Sequence, residues 1–159
     1  MSVVYAIRVA EFGDLEGILS IQSTCTQMLN WSEGLWQHLL QDTAAGVGLR
    51  CVWVAVIERE VVGFAVLGGA AEFAELEMVV VAAGVREQGV GRAFCLEAMH
   101  CAAKRGAATM ELEVRASNRA ALALYESLGF ARQGVRQEYY REPVEDAVLM
   151  ACVLQMQEL

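Results

Sequence analysis

Proline is nearly missing from this chain: Pro143 is the single one in 159 residues. No repeat, low-complexity stretch or proline-rich linker breaks the sequence, so one domain over residues 1–159 is expected. A basic excess is also missing. Twelve lysines and arginines face twenty acids, a net charge of -8. That argues against direct nucleic-acid binding, which needs a basic face, and is compatible with a basic partner. No apolar run approaches the ~18 residues of a membrane span. The longest, Val61 to Ala71, stops at Glu72, so no membrane partner is expected. Met1 to Arg8 lacks the basic segment, apolar segment and cleavage site of a signal peptide. There is no C-x-x-C. The cysteines (Cys25, Cys51, Cys95, Cys101, Cys152) are odd in number and irregularly spaced, which reads as a reduced, cytoplasmic chain. His38 and His100 have no partner at zinc-ligand spacing, so both are expected to be structural and no metal is expected.

What the chain does contain is a regular alternation of strand and helix patterns. Hydrophobic residues make up 56%, enough for a sizeable core. Val3–Arg8 reads as a strand. Leu15, Ile18 and Leu19 are spaced for a helix from Asp14 to about Gln27, with Gly13-Asp14 as its start signal. Ser32 can cap a second helix through Trp36 and Leu40. Cys51–Ile57 and Val61–Leu67 are β-rich and read as a hairpin about Glu58-Arg59-Glu60. Leu76–Val81 is a further strand, followed by a glycine-containing turn and a largely apolar helix from about Gly89 to Arg105, ended by Gly106. Thr109–Arg115 is a strand. Ser117–Leu128 is a helix ended by Gly129, the residue suited to a left-handed cap. Strands near Ala131–Tyr139 and Asp146–Gln155 close the chain. A strand–helix–strand crossover requires at least one parallel pair, so the class is mixed α+β.

The glycine turn reads Gly84-Val85-Arg86-Glu87-Gln88-Gly89-Val90-Gly91-Arg92. Glycines between a strand and a helix let backbone N–H groups converge on an anion, and the helix dipole adds to the attraction. A nucleotide-triphosphate loop would need Lys and Ser/Thr after Gly89, where Val90 and Gly91 stand. A dinucleotide fingerprint would need a small residue at Phe94. Arg86-x-x-Gly89-x-Gly91 instead resembles the acetyl-CoA pyrophosphate loop of the Gcn5-related N-acetyltransferase (GNAT) superfamily. Downstream, Leu112-Glu113-Val114-Arg115-Ala116-Ser117-Asn118 and Ala123-Leu124-Tyr125-Glu126-Ser127-Leu128-Gly129-Phe130 resemble its RimI branch, the ribosomal-protein-alanine N-acetyltransferases. Tyr139-Tyr140 and Glu145-Asp146-Ala147 extend the likeness, which covers roughly Leu76 to Leu154. Trp31-Ser32 is a weaker similarity. Two positions depart from the pattern. Glu87 puts a carboxylate inside the anion-binding turn, and Ala83 stands where a proline is common.

The resemblance implies an α/β sandwich: a mixed, mostly antiparallel sheet flanked by helices, with a splayed parallel strand pair at the cofactor site. It implies acetyl-CoA as donor, held by Val79, Val80 and Val81 along the pantetheine arm and by Arg86 to Arg92 at the pyrophosphate. Asn118, otherwise a helix cap, would also contact the cofactor. Val79–Val81 equally fit a buried strand. Period-two alternation sets Met110, Leu112 and Val114 on one face of their strand and Thr109, Glu111, Glu113 and Arg115 on the other. From the residues alone Glu113 is a solvated acid screened by Arg115; the resemblance makes it the general base, with Glu75 and Glu77 in reserve. Tyr125 alone reads as a half-buried tyrosine beside Leu122 and Leu128; the resemblance makes it the general acid. Tyr139 is either an ordinary strand aromatic or a residue lining the acceptor pocket. The expected activity is acetyl transfer to a primary amine, foremost the N-terminal α-amine of a protein or peptide such as a ribosomal protein. The alternatives are a small amine or lysine as acceptor, or a non-catalytic acyl-CoA sensor on the same fold.

Overall fold

A computed structural model describes residues 4–25 and 30–154. Its sheet has seven strands: β1 (Ala6–Val9), β2 (Cys51–Ile57), β3 (Glu60–Gly69), β4 (Phe73–Val81), β5 (Thr109–Arg115), β6 (Ala131–Arg141) and β7 (Val144–Val153). The helices are α1 (Leu15–Thr24), α2 (Glu33–Ala45), α3 (Val90–Lys104) and α4 (Arg119–Ser127). The strand order is β1-β2-β3-β4-β5-β7-β6, and only β4 and β5 are parallel. This is the expected mixed, mostly antiparallel sheet.

The boundaries follow local chemistry. Ser32 caps α2 as expected, its hydroxyl accepting the Leu35 N–H at 3.1 Å. Gly46 ends α2 at φ +68°. The hairpin turn is tighter than expected, with Glu58 and Arg59 both at positive φ and Glu60 already in β3. Asp14 does not cap α1 through its side chain. Its carboxylate instead accepts two bonds from Arg8, at 2.7 and 2.9 Å, and the Glu11 N–H at 2.8 Å. Two sequence-based boundaries, Val3 for the first strand and Gln27 for the first helix, lie outside the described residues, as does Gln155 for the last strand. β4 begins at Phe73, earlier than expected.

The sheet buries a core on each face. On one side α3 and α4 cover residues from β2 to β5 and β7, with Phe94, Met110 and Met150 wholly buried. On the other side α1 and α2 pack over β2 and β3 around Trp36 and Phe64. That second core takes no residue from β5, β6 or β7. The sheet face carrying Glu111 and Glu113 therefore lies beyond the α1–α2 layer. Gln22 ties that layer together: its side-chain oxygen accepts the Trp36 indole N–H and the Trp31 N–H, each at 3.0 Å, and its amide donates to the Trp31 carbonyl at 2.9 Å.

Candidate active site

The parallel pair determines where a ligand can enter. β4 and β5 are in register only from Phe73 opposite Thr109 to Glu75 opposite Glu111. Beyond that point they diverge. β4 stays paired to β3 as far as Val81 opposite Gly63, so the edge of β4 facing β5 carries no ladder from Leu76 to Val81. A backbone edge of this kind can hydrogen-bond an extended ligand as it would another strand. Val79, Val80 and Val81 are half-buried along it. A bulge helps set the divergence. Leu76 faces Leu67 and Met78 faces Val66, leaving Glu77 as the extra residue. A side chain at Gly68 would come within 2.7 Å of the Glu77 carboxylate and would push it away from Arg50.

The glycine turn lies at the end of this edge. Gly89 is the N-cap of α3 at φ +87°, with no side-chain cap, so the first N–H groups of that helix are left for an external acceptor. A Cβ at Gly89 would face the Tyr5 hydroxyl at 3.6 Å, and one at Gly91 would meet Leu124 at 3.6 Å. Glu87 takes φ +63° and, like Arg86 and Gln88, is exposed. Val90 is buried under the helix. Arg86 donates from Nε to the Val81 carbonyl at 3.2 Å, and Arg92 donates to the Ser127 hydroxyl at 3.1 Å. The backbone donors, the glycines and the basic residues fit an anionic group at the helix start.

Glu113 sits on β5 just past the point of divergence, with its side chain 22% exposed. It lines a pocket of about 130 Å³ with Glu75, Glu111, Gln133, Arg136 and Leu149. Its cationic partner is not the expected one. Arg136 of β6 lies 3.2 Å from the Glu113 carboxylate. Arg115 is buried and engaged elsewhere, with Glu145 at 3.4 Å, the Pro143 carbonyl at 3.1 Å and the Tyr140 ring at 4.3 Å. The expected screening of Glu113 by Arg115 is thus corrected. Two residues apart on β5, they point to one face, but the buried end of the strand turns Arg115 toward the β6–β7 hairpin. Interaction with the Glu113 carboxylate, then burial, raises the Tyr139 phenol above its ordinary value.

The two reserve acids differ. Glu77 is gripped by Arg50 at 2.8 and 3.0 Å, and Arg50 also lies over the Trp31 ring. Glu75 faces the Glu113 pocket. Burial, then Glu77, Glu113 and Glu111, push its carboxyl above the usual range.

Tyr125 comes from α4. Asn118 caps this helix, its side-chain oxygen accepting the Ala121 N–H at 3.2 Å. Gly129, at φ +98°, follows its end. Tyr125 meets Phe130 edge-on at 5.7 Å and packs against the α3–α4 core. Burial, with smaller effects from Cys95 and Tyr140, pushes its phenol far above its ordinary value. Tyr140 is likewise raised to about 12, by burial first and by Glu113 next. Arg136, Gln133, Arg50 and Tyr140 were not singled out from the sequence as site residues. Their places depend on strand register and bulges, for which the sequence carries no local signal. Among the described residues no group of three or more His, Cys, Asp and Glu side chains is arranged to hold a metal, and no helix is long and apolar enough to cross a membrane.

Residues 15–130 match the model of the acetyltransferase (GNAT) family. The chain is 43% identical over 95 residues to the [ribosomal protein bS18]-alanine N-acetyltransferase of Escherichia coli (strain K12), a match covering 58% of this chain and 64% of that protein. It therefore spans just under two thirds of that curated relative's length. The enzyme of the same name from Haemophilus influenzae is 28% identical over 97% of this chain and 100% of its own length. The crystal structure of the ribosomal-protein-S18-alanine N-acetyltransferase from Escherichia coli superposes with a TM-score of 0.80 at 32% identity, covering 98% of this chain and 97% of that one. With the family model spanning most of its length and the splayed β4–β5 pair beside an α3 that has no side-chain cap, this chain belongs to the acetyltransferase (GNAT) family.

Proposed function

We propose that this protein is a cytoplasmic, single-domain N-acetyltransferase that uses acetyl-CoA to acetylate the N-terminal α-amine of a protein, most like a ribosomal protein. Acetyltransferases of this family use acetyl-CoA as donor. The observation that carries the reading is the junction of three features at the β4–β5 divergence: an unpaired strand edge, a glycine-capped helix start and a carboxylate on the adjoining strand. The names of the relatives support the choice of acceptor.

Bound acetyl-CoA supplies a thioester carbonyl open to attack by an amine. The chain's own residues do the rest. The main-chain groups of Val79–Val81 that face away from β3 are partners for the pantetheine arm, and the N–H groups at the start of α3 are donors for the pyrophosphate, with Arg86 and Arg92 adding positive charge. Glu113 accepts the proton that the amine must lose, directly or through water. Arg136 pairs with its carboxylate in the resting protein and yields it to the amine. Tyr125 stays protonated because its burial penalises the phenolate. It delivers its proton as the sulfur leaves and gains basicity.

The α-amine is the easier acceptor. With a pKa of ~8, about a tenth of it is neutral at pH 7, against roughly one lysine in 2,500 at pKa ~10.4, a gap of roughly 3 kcal/mol. One partly exposed carboxylate suffices for the first. The test is a matched pair of peptides, one with a free N-terminus and no lysine, the other N-terminally blocked with an internal lysine. Thiol release is expected with the first. Faster acetylation of the blocked peptide would remove the α-amine assignment, and no turnover with either would remove the enzymatic one.

A further inference from the structure

We infer that Asp146 is a positioning residue for the acceptor side of the site: it holds open a bulge in β6 that brings Tyr139 onto the same face as Glu113. The inference rests on the reading of Glu113 as the base. On β6, Arg136 is in register with Ala147 and Tyr140 with Glu145, so Gln137, Glu138 and Tyr139 together oppose the single residue Asp146. In a regular strand, adjacent residues point to opposite faces. Here Tyr139 and Tyr140 meet edge-on at 5.1 Å. Arg136 reaches over the Tyr139 ring at 5.6 Å and pairs with Glu113 at 3.2 Å, so Tyr139 and Glu113 flank the same guanidinium. Meanwhile Tyr140 stacks on Arg115, from the same strand face as Glu113. Only the bulge lets both tyrosines serve that face.

The bulge is not free-standing. Glu138, at its centre, adopts φ +51°, a conformation that a side chain disfavours and that persists only when neighbours enforce it. The enforcing contact is the Asp146 carboxylate, which accepts the Glu138 N–H at 2.8 Å. Asp146 is itself anchored, since its main-chain carbonyl accepts the Ala116 N–H at 3.0 Å at the β5–α4 corner. Its neighbour Glu145 acts on the other side of that corner, accepting the Ser117 N–H and pairing with Arg115. Two adjacent acids of β7 thus hold two walls of one cleft. Glu145 fixes the corner leading to the helix of Tyr125, and Asp146 fixes the strand of Tyr139.

The experiment uses the full chain with acetyl-CoA and a peptide bearing a free N-terminus. Asp146→Ala removes the acceptor of the Glu138 N–H. It should lower kcat/KM for the peptide by about three- to tenfold, leave the calorimetric Kd for acetyl-CoA unchanged, and speed hydrogen exchange at the Glu138 amide. Asp146→Asn keeps an oxygen that can accept the bond and should restore most of the loss. In a Tyr139→Ala background, Asp146→Ala should add no further loss, because Asp146 acts through that side chain. An unchanged kcat/KM in folded Asp146→Ala, or an equal loss with and without the Tyr139 side chain, would overturn the inference. A wild-type protein inactive on peptides would instead remove the functional reading. The bulge would then stand or fall on whether Asp146→Ala changes the exchange of the Glu138 amide.

Discussion

The donor and acceptor sides of the cleft are held in place by different means. On the donor side the working groups are backbone: the free edge of β4 and the first N–H groups of α3, shaped by Gly89 at φ +87°. They are carried by long, well-buried elements and depend little on individual side-chain pairs. On the acceptor side the working groups are side chains, and more side chains hold them. Arg136 pairs with Glu113, Arg50 with Glu77, Arg115 with Glu145, and Asp146 supports a bulge. Several of these contacts are half-exposed, where an ion pair contributes only about 0–1 kcal/mol. A backbone-built donor side suits one invariant ligand. A wall built from side chains can be retuned for a different acceptor one substitution at a time.

The sharpest way to break the contrast is at Gly89. Gly89→Asp puts a side chain at a left-handed position, beside the Tyr5 hydroxyl, and a negative charge at the helix start. Acetyl-CoA affinity should fall by about two orders of magnitude or more, while circular dichroism shows the fold retained. Unchanged affinity by calorimetry would take the pyrophosphate away from this turn.

The same contrast governs what the sequence reveals. The donor side was legible because it is local: strand, turn and helix follow one another within Val79 to Arg92, and the glycine spacing is itself the geometry. The strand–helix–strand order likewise implied the parallel pair, and alternation put Glu111 and Glu113 on one face of β5. The partner of Glu113 was not legible. Arg115, two residues away, satisfied the period-two rule, whereas Arg136 reaches Glu113 from across β7 through a register set by bulges near Gln133 and Glu138. A bulge changes which side chains share a face without leaving a strong mark in the sequence. Tyr139 was named from the sequence as either a strand aromatic or a pocket residue, and the local pattern could not choose between them, since its placement depends on Glu138 and Asp146.

A second break acts where the two sides meet. Glu113→Gln keeps the shape and removes the proposed base; Tyr125→Phe keeps the packing on Phe130 and removes the proposed acid. Each should lower kcat by about 10²–10⁴, with acetyl-CoA affinity near that of the wild type. The Glu113→Gln deficit should shrink as the pH rises through the amine pKa of ~8, where the amine deprotonates unaided. Near wild-type rates for both across that range would move the chemistry to the reserve acids Glu75 and Glu77, of which Glu75 lines the pocket.

A smaller effect is expected at Arg136, which pairs with the Glu113 carboxylate and, on the proposed mechanism, competes with the incoming amine for it. Arg136→Gln should lower the acceptor KM by about two- to fivefold, the range of an exposed ion pair, and change stability little. A higher KM would mean that Arg136 holds the acceptor rather than the base.

The smallest effect concerns stability, and it tests whether the acids of the acceptor side are a strain on the fold. Glu75 is half-buried, and its pKa is raised by burial, then by Glu77, Glu113 and Glu111, with Arg50 acting the other way. Because the folded value lies above the unfolded one, near ~4.3, the native state binds the proton more tightly. The stability linked to that proton is fully present below the unfolded pKa and is lost as the pH rises through the folded pKa. At neutral pH the charged carboxylate therefore weighs against the fold. Glu75→Gln is neutral at every pH and escapes that loss. Its Tm should exceed that of the wild type by about 1–3 °C at pH 7, and the difference should close as the pH falls toward 4. A lower Tm at pH 7 would show that the Glu75 charge is supported in the folded protein, and that the acceptor side holds its acids without cost to stability.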